Sequence, residues 1–208
     1  MTAAAGQDRG EDLADDLDHE QYDDENVGGG IGLAAWQLIG GAIGLLAALV
    51  LTVEKIATLR DPNYVPSCSI DEVLSCGSIM SSDQAELLGF PNPLLGLIGF
   101  PMVMMVGAAA LAGFYPPRWY RWAVLAGMSV ALVFVHWLIW VSLYEVGALC
   151  PYCMVVWAVM APLWWYTLLD TVDLPRLRRF HAPVLIAWYL VVAALVFFRF
   201  QEHWTSLF

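Results

Sequence analysis

The sequence is short of charge. Aspartate, glutamate, lysine and arginine make up 14% of its 208 residues, where a soluble domain carries about 25%. That shortage argues against an ordinary water-soluble globule. Cationic residues are scarcest, nine against twenty acids, so no basic surface of the kind a nucleic acid requires is expected. Cysteine is also scarce. Four in 208 residues exclude a small secreted scaffold held together by disulfides. A cleavable leader is not expected either, because the first apolar stretch begins only at Ile31 and what precedes it is acidic.

What charge there is sits mostly in one place. Residues 1–27 hold ten acids and one base, Arg9, a net of −9; the other 181 residues hold ten acids and eight bases, a net of −2. Residues 1–30 therefore read as an acidic, solvated tail that buries too little apolar surface to order itself. The body is 60% hydrophobic when counted with the tail. It contains five apolar runs, near Ile31–Val53, Pro93–Phe114, Trp119–Leu143, Pro151–Leu169 and Pro183–Phe200. Each has about the 20 residues that cross a ~30 Å hydrocarbon core as a helix. The expected fold is an all-α integral membrane protein. Four spans form a bundle over residues 31–170, which includes an outer loop at 54–92. Residues 171–208 add a connecting loop and a fifth helix. Apolar residues within 69–88 predict a short amphipathic helix on that outer loop.

With five spans, Arg9, Arg118, Arg121, Arg176, Arg178 and Arg179 fall on one side of the membrane. Lys55, Arg60 and Arg199 fall on the other. Six against three predicts a cytoplasmic N-terminus and an extracytoplasmic C-terminus. Trp36, Trp119, Trp122, Trp164, Trp188 and Trp204 read as interfacial anchors near span ends. Gly40 and Gly44 read as a helix-packing contact, and His136, inside the third span, as a hydrogen-bonded packing residue rather than a site.

All four cysteines fall on the same outer side. Cys68 and Cys76 lie in the long loop, and Cys150-Pro151-Tyr152-Cys153 opens the fourth span. Pro151 suits a first helical turn. Unpaired N–H groups at a helix start stabilise thiolate and raise reactivity. Cys153 is expected deeper in the bundle and Cys150 nearer the loop. A flexible pair beside a fixed pair suits a thiol–disulfide relay. Spacing alone also allows two static disulfides on a non-enzymatic scaffold, or four thiolates on zinc.

At these residues the sequence resembles the vitamin K epoxide reductase family, in its bacterial quinone-linked branch. The resemblance rests on Cys68 and Cys76 with seven residues between, on Cys150-Pro151-Tyr152-Cys153, and on Ser82 and Asn92, the latter in Phe90-Pro91-Asn92-Pro93-Leu94-Leu95-Gly96. It covers roughly residues 31–170. It implies a four-helix bundle around a quinone, menaquinone or ubiquinone. Cys150 and Cys153 would be the active-site pair, with Cys153 reacting with the quinone. Cys76 would exchange with Cys150, and Cys68 with an outside partner. Ser82 and Asn92 would be polar groups near the quinone, with Trp157 walling its pocket and no metal involved. Animal members carry Tyr where this chain has Trp157, a departure that points away from epoxide chemistry; the alternative activity for the same fold is reduction of a vitamin K-type quinone or its epoxide. Some bacterial members are fused to a thioredoxin-like domain of about 100 residues. This chain has no room for one, so a separate thioredoxin-like or DsbA-like protein is the expected partner. The expected location is the bacterial plasma membrane, with the cysteines on the periplasmic side.

Overall fold

The computed structural model describes residues 30–201, apart from 62, 72, 88, 115, 173 and 174 and the side chains of 175 and 176. The expectation of a disordered tail over residues 1–30 falls almost wholly outside that range. Arg9, His203 and Trp204 also fall outside it.

Five helices are long and apolar enough to cross a membrane. The first, α1 (Ala4–Arg60), is described from Gly30 onward. The outer loop then carries two short pieces, α2 (Cys76–Met80) and a 3-10 turn, Asp83–Glu86. Next come α3 (Pro93–Leu111) and α4 (Arg118–Trp140), which tightens into a π-helical turn over Val141–Val146. α5 (Pro151–Thr171), the short α6 (Pro175–Arg179) and α7 (His181–Arg199) follow. No strand forms among the described residues; one isolated bridge joins Leu74 to Leu149. The chain is an all-α membrane protein with five spanning helices.

The first span outlasts its apolar run. The outer loop was expected from Glu54, but α1 continues to Arg60. Glu54 and Lys55 are each only 8% exposed, and both are satisfied by polar groups that fold back from the loop. Hydropathy ends the span at Val53, whereas tertiary hydrogen bonds carry the helix on.

α1 packs between α3 and α5, and α4 packs on α5. Small residues set the α1–α3 approach. A Cβ on Gly107 would stand 2.6 Å from the Ala34 carbonyl oxygen, and one on Gly41 2.6 Å from Met104 Cγ. The two expected packing glycines face different neighbours. Gly44 meets the Phe100 ring on α3, and Gly40 meets Val159 and Leu163 on α5. Away from these seams, Met105, Val130 and Val133 are more than 70% exposed. Apolar surface of that extent on spanning helices is what lipid covers.

α7 has no buried residue and docks on the bundle by hydrogen bonds. Trp188 Nε1 donates to His136 Nε2 at 2.9 Å, and the other His136 nitrogen lies 2.8 Å from the Leu132 carbonyl. His136 is thus a packing residue, as expected. Pro162 has no N–H for the Ala158 carbonyl four residues earlier; the Tyr189 hydroxyl donates to that carbonyl at 2.6 Å. Arg199 Nε donates to Leu143 O at 2.8 Å, serving a carbonyl near the end of the π-helical turn.

Two of the expected interfacial tryptophans are corrected here. Trp164 donates to Ser129 Oγ at 2.9 Å across α4–α5, and Trp188 joins α7 to α4. Both bind helices to each other. Trp119 and Trp122, 70% and 46% exposed at the start of α4, remain free to meet an interface.

Candidate functional site

The four cysteines meet at the end of the bundle that carries the long loop between α1 and α3. A one-residue bridge sets the register. Leu149 N donates to Val73 O at 2.7 Å, and Ser75 N donates to Leu149 O at 3.0 Å. Cys150 follows Leu149 directly, and Cys76 follows Ser75, so this hydrogen-bonded pair delivers Cys76 and Cys150 to the same point. Their sulfurs lie 3.1 Å apart. Local turns hold the loop strand straight for this pairing. Asp71 Oδ1 accepts from Val73 N and Leu74 N, at 2.8 and 2.7 Å. Ser75 caps α2 by accepting from Ser78 N at 3.3 Å.

Cys68 and Cys76 form a disulfide with Cα atoms 5.6 Å apart. Cys150 and Cys153 are free thiols. The Cys68, Cys76 and Cys150 sulfurs lie within 4.8 Å of one another. With two of them joined, they do not present three thiolates to a metal. Cys76 and Cys150 are fully buried and Cys68 is 5% exposed. They pack among Leu51, Met80, Ile79 and Tyr152.

Cys150 is the N-cap residue of α5 and Pro151 its first helical residue. The Cys153 thiol, hydrogen-bonded to Cys150, holds the Cys150 thiol below its ordinary pKa. The backbone N–H groups of Cys153 and Tyr152 lower it further, while burial opposes them. Cys150 is thus a thiol with a lowered pKa held 3.1 Å from a disulfide sulfur.

Behind the sulfurs lies a cavity of about 390 Å³, walled by α1, α3, α4 and α5 and roofed by the loop. Its lining is almost wholly apolar, with Phe100, Met128, Val135 and Met160 among the walls. Cys76, Cys150 and Cys153 all reach it, as do Ser82, Asn92 and Trp157. Cys153, one helical turn in from Cys150, is only partly buried. Of the seven candidate site residues, every one lies at this cavity except Cys68, which is one disulfide bond away.

The polar lining is partly committed. Ser82 Oγ donates to Ile79 O at 2.8 Å. Asn92 Nδ2 donates to Gln84 O at 2.8 Å, and its Oδ1 accepts from Leu87 N at 3.3 Å. Both residues therefore tie down the roof. Trp157 differs: it is 3% exposed, and its buried Nε1 has no hydrogen-bond partner among the described residues. An orphaned donor costs about 1–3 kcal/mol, and a ligand acceptor would remove that cost.

Sequence reasoning missed Glu54 and Lys55 as parts of the site. Two adjacent opposite charges at the end of an apolar run were the available signal. Their partners, up to 31 residues away, were not visible in it.

No curated protein matches the chain. Residues 35–168, nearly two thirds of it, match the model of the Vitamin K epoxide reductase family; that stretch holds all four spans of the bundle, the loop and the four cysteines, and the chain belongs to this family.

Proposed function

We propose that the protein is a membrane thiol oxidoreductase that oxidises a separate thioredoxin-like protein and passes the electrons to a membrane quinone. Family membership supports a thiol–disulfide oxidoreductase linked to quinone. The observation that supports this reading is the 3.1 Å contact between Cys76 and Cys150, with Cys153 behind it on the cavity wall, which sets the order of the sulfurs.

The exchange steps follow from that order. A dithiol partner attacks Cys68, breaks the Cys68–Cys76 bond and releases the Cys76 thiolate. The partner's second thiolate then closes its own disulfide and frees Cys68. Cys76 attacks Cys150 of an inner Cys150–Cys153 disulfide and expels the Cys153 thiolate. Cys68 attacks Cys76, re-forms the loop disulfide and leaves both electrons on Cys150 and Cys153. The structure corresponds to this last state, with the loop pair joined and the inner pair reduced. The chain's part is to bring the sulfurs into line and favour ionisation of Cys150, the sulfur that leaves in the last step.

The cavity suits a flat, mostly apolar ring with polar edges. Trp157 has an N–H without a partner among the described residues, and Ser82 and Asn92 add polar groups to the same cavity lining. When bound, the quinone supplies a two-electron, two-proton sink. Donors fixed beside its oxygens favour the charge that builds there. Menaquinone and ubiquinone both fit this description. Arg118, Arg121, Arg178 and Arg179 lie at the end of the bundle away from the cysteines. They support a cytoplasmic N-terminus and a cysteine cluster on the periplasmic side of a bacterial plasma membrane. That side is the oxidising one.

The test is turnover of a short-chain quinone with reduced thioredoxin as donor. Each single cysteine-to-Ala variant is expected to lose it. Wild-type turnover by Cys153→Ala would overturn the scheme. Efficient reduction of vitamin K epoxide by dithiothreitol, with no quinone turnover, would replace the scheme by the epoxide activity.

A further inference from the structure

We infer that Lys55 is a positioning residue for the sulfur relay: it fixes α2 so that Cys76 stays against Cys150. This rests on the relay proposed above. Lys55 is the chain's only lysine. It sits on the last turns of α1, 8% exposed, where an ammonium is costly unless fully paired. Both of its partners belong to the loop. Nζ donates to Met80 O at 2.6 Å and pairs with Glu86 Oε1 at 3.0 Å.

The position of those partners gives the role. α2 has five residues, with Cys76 first and Met80 last. Its start is tied to α5 through the Ser75–Leu149 hydrogen bond. Its end is tied to α1 through Lys55. A cation on the last carbonyls of a helix also satisfies groups that have no partner within it. Removing the second tie leaves α2 held only at its Cys76 end, by the Ser75–Leu149 bond and, within the loop itself, by the disulfide and the Gly77 N–Ser69 Oγ bond at 3.1 Å, and Cys76 can then swing from Cys150. Exchange needs contact between the two sulfurs, so a small displacement slows it steeply.

Glu54, the preceding residue, holds the other arm of the loop. Its carboxylate accepts from Ser67 Oγ and, at 3.0 Å, from the Tyr64 hydroxyl. Ser67 adjoins Cys68. One residue pair on α1 thus grips the loop on both sides of its disulfide, with Lys55 on the Cys76 side.

The experiment uses the full-length protein with Cys68→Ala and Cys153→Ala, in which only Cys76 and Cys150 remain. Diamide oxidises that pair to an intramolecular disulfide, itself taking up the two electrons and two protons. Lys55→Met is expected to slow this cross-link about tenfold or more, and Lys55→Arg, which keeps the charge and the donors, to restore most of the rate. Glu86→Gln removes only the ion pair and is expected to slow it about two- to threefold. Cross-linking of Lys55→Met at the parent rate overturns the inference. If Lys55→Met does not fold, an unchanged rate in Glu86→Gln overturns it instead. Quinone reduction by reduced thioredoxin is measured on the four-cysteine protein in parallel. Its absence there sinks the relay reading, while the cross-linking rates still decide the role of Lys55.

Discussion

Two residues on the first turn of α5 divide the chemistry between them. The Cys153 thiol first, and then backbone N–H groups, hold the Cys150 pKa below that of an ordinary thiol, against the effect of burial. A lowered pKa means a larger thiolate fraction at any given pH, falling as the pH falls. In a variant with Cys68→Ala and Cys76→Ala, thiolate absorbance near 240 nm should therefore titrate at lower pH than that of an ordinary cysteine. Replacing Cys153 with Ala should move the titration upward, because the largest stabilising contact is gone. No movement would mean that the backbone N–H groups act alone. Trp157 permits a second prediction at this scale. Trp157→Phe keeps an aromatic wall and deletes the orphaned N–H. If that donor meets a quinone oxygen, KM for quinone rises about five- to tenfold, as expected for one hydrogen bond, with little change in melting temperature. An unchanged KM would reduce Trp157 to a wall.

At the scale of elements, the helices are coupled where their own hydrogen bonding fails. Pro162 frees the Ala158 carbonyl, and Tyr189 of α7 takes it. A double-mutant cycle tests this repair. Tyr189→Phe should cost about 0.6–1.5 kcal/mol. The cost should fall toward zero in a Pro162→Ala background, where the helix supplies its own N–H. Equal costs in both backgrounds would make the Tyr189 bond incidental. Gly107 makes a similar case by volume. Gly107→Val has no room against the Ala34 carbonyl, so α1 and α3 must part and the melting temperature must fall.

These elements also mark what could be read from the chain. Apolar length revealed all five spans, and the pattern of cysteines, Ser82 and Asn92 picked out residues that gather at one cavity. The end of α1, the π-helical turn and the Leu74–Leu149 bridge were not legible, since each is set by partners distant in sequence. Trp164 and Trp188 misled for a related reason. Hydropathy does not distinguish a helix face in lipid from one against another helix. Nor did the residues near 69–88 yield one amphipathic helix: α2 is five residues long, and the segment's geometry is spent on a bridge, a disulfide and the Lys55 contact.

For the whole molecule, the account joins a disulfide on one membrane face to a cavity within the bundle. Sidedness is directly testable. After mild reduction of intact cells, a membrane-impermeant maleimide should label Cys68 from outside. A cysteine introduced at Arg118 should label only after the membrane is permeabilised. The reverse pattern would invert the topology. The most direct test of the relay itself is a count under anaerobic conditions. Fully reduced protein is mixed with excess short-chain quinone, and free thiols are titrated against quinone consumed. Wild type should lose four thiols and consume two quinones per chain, as Cys150–Cys153 closes, is reduced through Cys76, and closes again. Cys153→Ala should keep its three remaining thiols and consume none. Quinone consumption by Cys153→Ala at the wild-type rate, or loss of only the Cys68 and Cys76 thiols in wild type, would contradict the path described here.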